Sequence, residues 1–516
     1  MDGTQTISVE KPHRARARRE PKSLRTPVRW TTADTWVFAV IALVTAVSRF
    51  TWISHPTDEG TPLFDEKHYV PQAWQILQST GDPISGGIEN NPGFGLIVHP
   101  PVAKHVIAIG EWLFGYTPLG WRFMSAVAGV LVVMALMDIV RRLSGSTLAV
   151  TIVGMYAVLD GVLFVSSRVG MLDMIQAVFV IGAVWALMLD RDDVVCRLRE
   201  NRDAGTILDS PIGPYLGWRW WRLAAGILLG LSLGVKWSGL YYIAGLGLWS
   251  VFSDLVDRKR AGVDKPVTGA LGRDTAPALR DLVLVPLIVY FMSWRSWFAE
   301  ETSVYRHQNP ADRDPGPLGF DWLPEPILNY LHYQRGVLEF HGSLTTSGGH
   351  EHPWESKPWE WLVSWRPMLY YSTETQCFGD RDCKGWLMLF GTPPIWWLLV
   401  PVMVWAMWRW LVKQDHRYGI AVVGFVVSWV PWAIAYDRQM YFFYATALIP
   451  FVLIAFALIA SDLARWTVKG RRVGLALVSL HAGLVLASFV FWLPIMTGIP
   501  LPEDTFNLRF WLPSWK

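Results

Sequence analysis

The stretch DTWVFAVIALVTAVSRFTWI, residues 34–53, decides the reading of the whole chain. It is apolar and long enough to cross the ~30 Å hydrocarbon core of a bilayer as a helix. Ahead of it, residues 1–33 are polar and carry eight Lys and Arg, including Arg14, Arg16, Arg18 and Arg19. Basic residues flanking a span mark its cytoplasmic side. Residues 1–33 therefore read as a disordered basic cytoplasmic tail, and residue 54 onward as extracytoplasmic. Because the basic run adjoins a span, it reads as topogenic charge and not as a nucleic-acid-binding patch. Ala46-Val47-Ser48 is a small-residue site of the kind signal peptidases cut, but the apolar run is long for a signal peptide.

The pattern then recurs. Of 516 residues, 52% are hydrophobic and 17% charged, against about 25% charged in soluble domains. After 34–53, apolar runs fall near 118–143, 148–165 and 169–189, and a pair of short helices fits within 223–254, turning near Lys236-Trp237-Ser238-Gly239. Further runs fall near 282–298, 389–411, 418–436, 441–462 and 473–497. The fold class expected is an all-α polytopic membrane protein of about eleven transmembrane helices. Most Lys and Arg then lie in short cytoplasmic loops, including 190–222 and 255–280. Two long loops, 54–116 and 299–387, and the C-terminus fall outside. The divisions are 1–33, a transmembrane module 34–298, a loop region 299–387 and a four-helix region 388–516.

No GxxxxGK[ST] loop and no HExxH helix is present, so neither a nucleotide nor a zinc-protease site is encoded in those forms. Interest moves to the outer face. Just past the first span stands Phe64-Asp65-Glu66-Lys67-His68-Tyr69, at the start of a helix expected over 67–78. Two readings stand for the acids: a helix cap with a first-turn acid, or a general base for an attacking hydroxyl. Adjacent side chains diverge on a helix or strand, so at most one acid faces a reacting atom. Arg49, Arg122, Arg168, Lys236, Arg295 and Arg438 all fall near outer span ends. Each alone reads as a snorkelling anchor; six at one depth point to a bound anion such as a lipid phosphate. His332, His341, His350 and His352 read as loop histidines in preference to a metal cluster, for want of partners at ligand spacing. Cys377 and Cys383 are a disulfide or two free thiols. Asp160 and Asp173 read as partners of Arg168 or as catalytic acids.

The ordered set Phe64-Asp65-Glu66, His99-Pro100-Pro101-Val102-Ala103-Lys104, Trp121-Arg122, Arg168-Val169-Gly170-Met171-Leu172-Asp173 and Gly234-Val235-Lys236-Trp237-Ser238-Gly239 resembles the protein O-mannosyltransferases. These are membrane glycosyltransferases of the GT-C class, and the resemblance runs from the first span to the last. It implies a polyprenyl-phosphate-mannose donor, Ser/Thr acceptors on a translocated polypeptide, and inverting transfer at the plasma membrane's outer face. It makes Asp65 the base, with Glu66 beside it in the catalytic pair, and Arg49 and Arg122 functional arginines. Arg122 and Lys236 are then expected at the donor phosphate, and Glu66 and Arg49 as organisers of the loop. His99, Lys104, Arg168 and Arg438 complete the expected substrate-binding set. Residues 299–387 are too short for the β-trefoil-like insertion of eukaryotic members, so the likeness is to bacterial ones. No cofactor is implied; a divalent-metal requirement and docking on the secretion channel stay open. A related GT-C enzyme using another lipid-linked sugar or a glycan acceptor is the nearest alternative. A lipid-linked-sugar transporter is more remote, because no internal repeat is evident.

Overall fold

The computed structural model describes residues 24, 26–89, 98–309, 322–377, 379 and 381–516. Residues 1–23 and 25 of the expected disordered tail lie outside them; 24 and 26–33 are placed, with the Leu24 and Val28 carbonyls accepting from Arg199 and Arg141. Among the described residues, eight helices are long and apolar enough to cross a membrane: α1 (Thr32–Phe50), α4 (Pro118–Ser144), α7 (Leu172–Asp203), α9 (Gly239–Ala261), α10 (Pro266–Ala299), α12 (Pro393–Leu411), α13 (His416–Ile434) and α15 (Val473–Thr497). Three shorter apolar helices, α5 (Thr147–Leu159), α8 (Trp220–Leu233) and α14 (Ile449–Leu463), stand where the remaining spans are expected. The chain is a multi-pass membrane protein.

Local chemistry sets the helix ends. Thr31 and Asp34 close a capping box on α1, which satisfies two otherwise orphaned N–H groups. Thr117 caps α4 with Pro118 in its first turn, and Gly145 ends it in the left-handed conformation at φ 61°. The third apolar run is broken in two. At Asp160 the backbone turns extended, and its Oδ1 accepts from the Leu163 N–H to start α6 (Gly161–Ser166) at 2.9 Å. Its Oδ2 accepts from Trp396 Nε1 at 2.7 Å. Asp160 is thus a buried cap, not a partner of Arg168.

Three expectations are corrected. Residues 190–203 are helix, not loop, because α7 continues to Asp203. Its charges are a paired face: Asp190 binds Arg219, and Arg191 binds Asp257 at 3.0 Å. Nearby, Arg219 meets Asp254 at 2.6 Å and Arg222 meets Asp281 at 3.0 Å, all nearly fully buried. A charge run that reads as solvated on sequence is here a helix brace. Second, the helix carrying the seventh span begins at Pro266, inside the expected loop 255–280. Third, the fold is not purely α. Strands β1 (Met368–Cys377), β2 (Arg381–Leu389) and β3 (Leu501–Pro502) form an antiparallel sheet in the order β1-β2-β3. Cys377 and Cys383 are disulfide-bonded at its tip. Strand β2 packs against α15, α6 and α16 (Glu503–Asn507), and β1 buries Met368 and Tyr370 in the core. The C-terminal segment folds back over this sheet, burying Trp515 against Phe390 with ring centroids 4.5 Å apart.

Candidate active site

Helix α2 runs from Glu66 to Thr80, with Asp65 at its N-cap. The Asp65 side chain makes no capping bond, so a helix cap does not explain it. The two acids diverge. Glu66 is buried and accepts from the Leu63 N–H at 2.9 Å, the Gly170 N–H at 2.6 Å, and Arg122 Nε and Nη2 at 2.8 and 3.0 Å. A Cβ added at Gly170 would stand a tight 3.1 Å from the Trp121 carbonyl and at van der Waals contact, 3.4 Å, with Glu66 Oε1, so the glycine eases this approach. Glu66 therefore ties three segments together: the loop after α1, helix α4 and the turn before α7.

Asp65 stays half-buried, with Tyr69 Oη at the long distance of 3.5 Å. Its carboxyl is pushed up to about 6, chiefly by burial and against the pull of His68 and Lys236. Asp173 adds to the rise. A base that titrates near 6 is ionised at neutral pH and still basic enough to take a proton.

Lys236 and Asp173, whose charges act on Asp65, line a cavity of about 260 Å³. Lys236 and Arg438 bring two cations to it, with Asp173, His99, His341 and Trp432 on its wall. Lys236 Nζ binds Asp173 Oδ1 at 2.7 Å and lies 5.2 Å from the Phe443 ring centre. Asp173 and Gln176, one helical turn apart on α7, present the same face. His341, on helix α11 (Glu325–Ser343), places its Nε2 3.2 Å from the Val98 carbonyl and its Nδ1 2.9 Å from Arg438 Nη2. The carbonyl requires Nε2 to carry the proton, so Nδ1 accepts from the guanidinium. Burial first, then Arg438, pushes His341 down to about 4, so it stays neutral. His99 is likewise held well below its ordinary value, by burial and then Lys236. Two buried polar atoms on the wall, Asp173 Oδ2 and Arg438 Nε, have no hydrogen-bond partner among the described residues. Such atoms are costly unless a ligand or water meets them.

The other expected residues lie elsewhere. Arg122 is fully buried, and besides Glu66 it donates to the Ile53 and Pro56 carbonyls at 3.1 and 2.9 Å. Arg49 donates to the Ala157 and Val158 carbonyls. Arg168 holds the carbonyls of Ser48, Arg49, Thr51 and Trp52, which end α1. Lys104, on helix α3 (Val102–Phe114), donates to the His99 and Pro100 carbonyls. These four cations hold backbone carbonyls around the loop that carries Asp65 and the end of α5, and none of them lines the cavity; Arg122, expected at the donor phosphate, is bound to Glu66. Arg295 also turns away, to the Ile84 carbonyl. Among the described residues, no group of three His, Cys, Asp or Glu is arranged to hold a metal.

Comparison with known proteins decides the family. The model described as the C-terminal four-transmembrane region of protein O-mannosyltransferase matches residues 327–515, and that described as dolichyl-phosphate-mannose-protein mannosyltransferase matches 98–192. The polyprenol-phosphate-mannose–protein mannosyltransferase of Corynebacterium glutamicum is 50% identical over 492 residues, covering 95% of each chain. The chain belongs to this mannosyltransferase family. The Mycobacterium tuberculosis protein of the same name is 42% identical, over 93% of this chain and 91% of its own. The yeast protein O-mannosyltransferase Pmt1-Pmt2 complex bound to the sugar donor superposes with a TM-score of 0.71 at 15% identity, covering 96% of this chain and 95% of that one. That likeness establishes the shared GT-C fold. Within the family frame, two cavity residues went unassigned on sequence. Asp173 reads on sequence as a partner of Arg168 or a catalytic acid, and its cation is Lys236; His341 reads as a loop histidine and lines the cavity. The Asp173–Gln176 spacing on one helix face was the available signal for the first.

Proposed function

We propose that this chain transfers mannose from polyprenyl-phosphate-mannose to Ser and Thr hydroxyls of translocated polypeptides, at the extracytoplasmic face, with Asp65 as general base. The observation that carries the reading is an uncapped carboxylate, Asp65, in the electrostatic reach of Lys236 and Asp173, which line a cavity together with Arg438. The acceptor oxygen attacks the anomeric carbon, and its proton passes to Asp65. The bond from that carbon to the phosphate oxygen breaks, and its electrons stay on the phosphate. Lys236 and Arg438 stabilise the charge that develops there. Arg438 Nε, unpartnered and buried, suits a phosphate oxygen. Asp173 Oδ2 suits a sugar hydroxyl as acceptor. Attack from the side opposite the phosphate inverts the anomeric carbon. The outward orientation is supported by the basic tail before α1 and by the Cys377–Cys383 disulfide, which belongs on an oxidising side.

Two results test this. Lys236→Met and Arg438→Met are each expected to raise KM for the lipid donor by about tenfold or more, with KM for an acceptor peptide little changed. A rise confined to the peptide would place the donor elsewhere. The pH profile should climb with unit slope below about 6 and flatten above it, because Asp65 must be ionised to act. A profile flat from pH 5 to 8 would remove Asp65 from the proton transfer.

A further inference from the structure

Strand β1 is an edge. In the order β1-β2-β3 its other side pairs with no strand among the described residues. Every second residue of such a strand points its N–H and C=O away from the sheet, and among the described residues none of the β1 amides from Leu369 to Cys377 donates to backbone outside the hairpin. Exposed edges are ordinarily blunted by Lys or Pro, because they template pairing. Residues 371–377 of β1 read Tyr-Ser-Thr-Glu-Thr-Gln-Cys, with no Lys or Pro; Glu374 is their one charge.

The edge also leads to the site. The register with β2 slips between Leu369 and Tyr371, so Tyr370 is the bulged residue. Bulges re-aim a side chain and recur beside active sites. Here the Tyr370 ring lies 5.1 Å from that of Phe64, the residue before Asp65. Its hydroxyl lies in the field of Asp173, Asp65 and Glu66. The other end of the strand is solvent-exposed at Glu374, Thr375 and Gln376 and pinned by the disulfide. An extended chain laid along β1 would be ~4.8 Å away, with one end open to solvent and the other beside the base.

We propose that the acceptor polypeptide binds by β-strand addition to the free edge of β1, which delivers its hydroxyl to Asp65. This rests on the transferase reading above. Main-chain bonds would supply the affinity, so the site would accept many sequences and would demand an extended segment. Side chains facing away from the sheet would be tolerated freely. A helical or tightly folded acceptor would not be used.

The test is a backbone N-methyl scan of a Ser/Thr acceptor peptide, with the full-length protein in nanodiscs and labelled polyprenyl-phosphate-mannose. Each methyl removes one N–H and blocks one edge position. The expected result is a period of two, with methyl groups at alternate residues raising peptide KM by about tenfold and those between leaving it near the unmodified value. KM for the donor should not move. A scan with no period, or with losses only at residues flanking the hydroxyl, overturns strand addition while leaving the transferase intact. Absence of mannosyl transfer to the unmodified peptide overturns the transferase reading, and this proposal with it.

Discussion

Asp65→Asn is expected to leave a folded, membrane-inserted protein whose mannosyl transfer falls by about 10²–10⁴-fold, the usual worth of a general base. Asparagine keeps the shape and loses the basic lone pair. Stability should not fall with activity. Burial raises the Asp65 pKa in the folded chain to about 6. Folding therefore favours the protonated acid, and stability drops as pH rises from the unfolded value near 4 through 6. The neutral amide removes that cost, so the variant should melt no lower than the parent at pH 7.5. No capping bond is lost either, since Asp65 makes none. Turnover near normal in this variant would show that Asp65 is not the base.

Glu66→Ala should fail in the opposite way. Its carboxylate is the only acid paired with Arg122 among the described residues, and both are fully buried. Removing it strands a buried guanidinium, which costs about 3–5 kcal/mol, and orphans the Leu63 and Gly170 amides as well. Poor yield and a melting temperature lowered by several degrees are expected. Glu66→Gln, which keeps part of the hydrogen bonding, should fall between. A Glu66→Ala protein that melts as the parent does, yet is inactive, would instead make Glu66 a participant in the chemistry. Two neighbouring carboxylates are thus separated by what each variant loses first.

Much of the fold was legible because membrane spans depend on length and hydropathy. The residues at 473–497 form the helix expected there, and the turn at 236–239 separates α8 from α9. What stayed hidden depends on long-range pairing. The charges of 190–203 look solvated until Arg219 and Asp257 arrive from distant sequence. The sheet was missed because β1 and β2 alternate only partly, with β2 buried on both faces toward Leu389.

The site divides the same way. Position after the first span and order among motifs singled out Asp65 and Lys236; Lys236 lines the cavity and its charge acts on Asp65. The arginines were singled out by depth alone. Depth does not say whether a guanidinium points to a ligand or to a carbonyl. Arg122 and Arg168 point to carbonyls at and just after the end of α1 and Arg49 to those that end α5, while Arg438 lines the cavity. The Asp173–Lys236 pair could be guessed from neither partner alone, since 63 residues separate them.

The most direct measurement is one reaction. Purified protein in nanodiscs is given polyprenyl-phosphate-mannose and, in parallel, other polyprenyl-phosphate sugars, each with a Ser/Thr peptide, and the product's sugar, linkage and anomeric configuration are read by NMR. Mannose alone is expected, linked to a Ser or Thr oxygen, with the anomeric carbon inverted relative to the donor. Transfer of a different sugar, a glycan as the only acceptor, or retained configuration would contradict it.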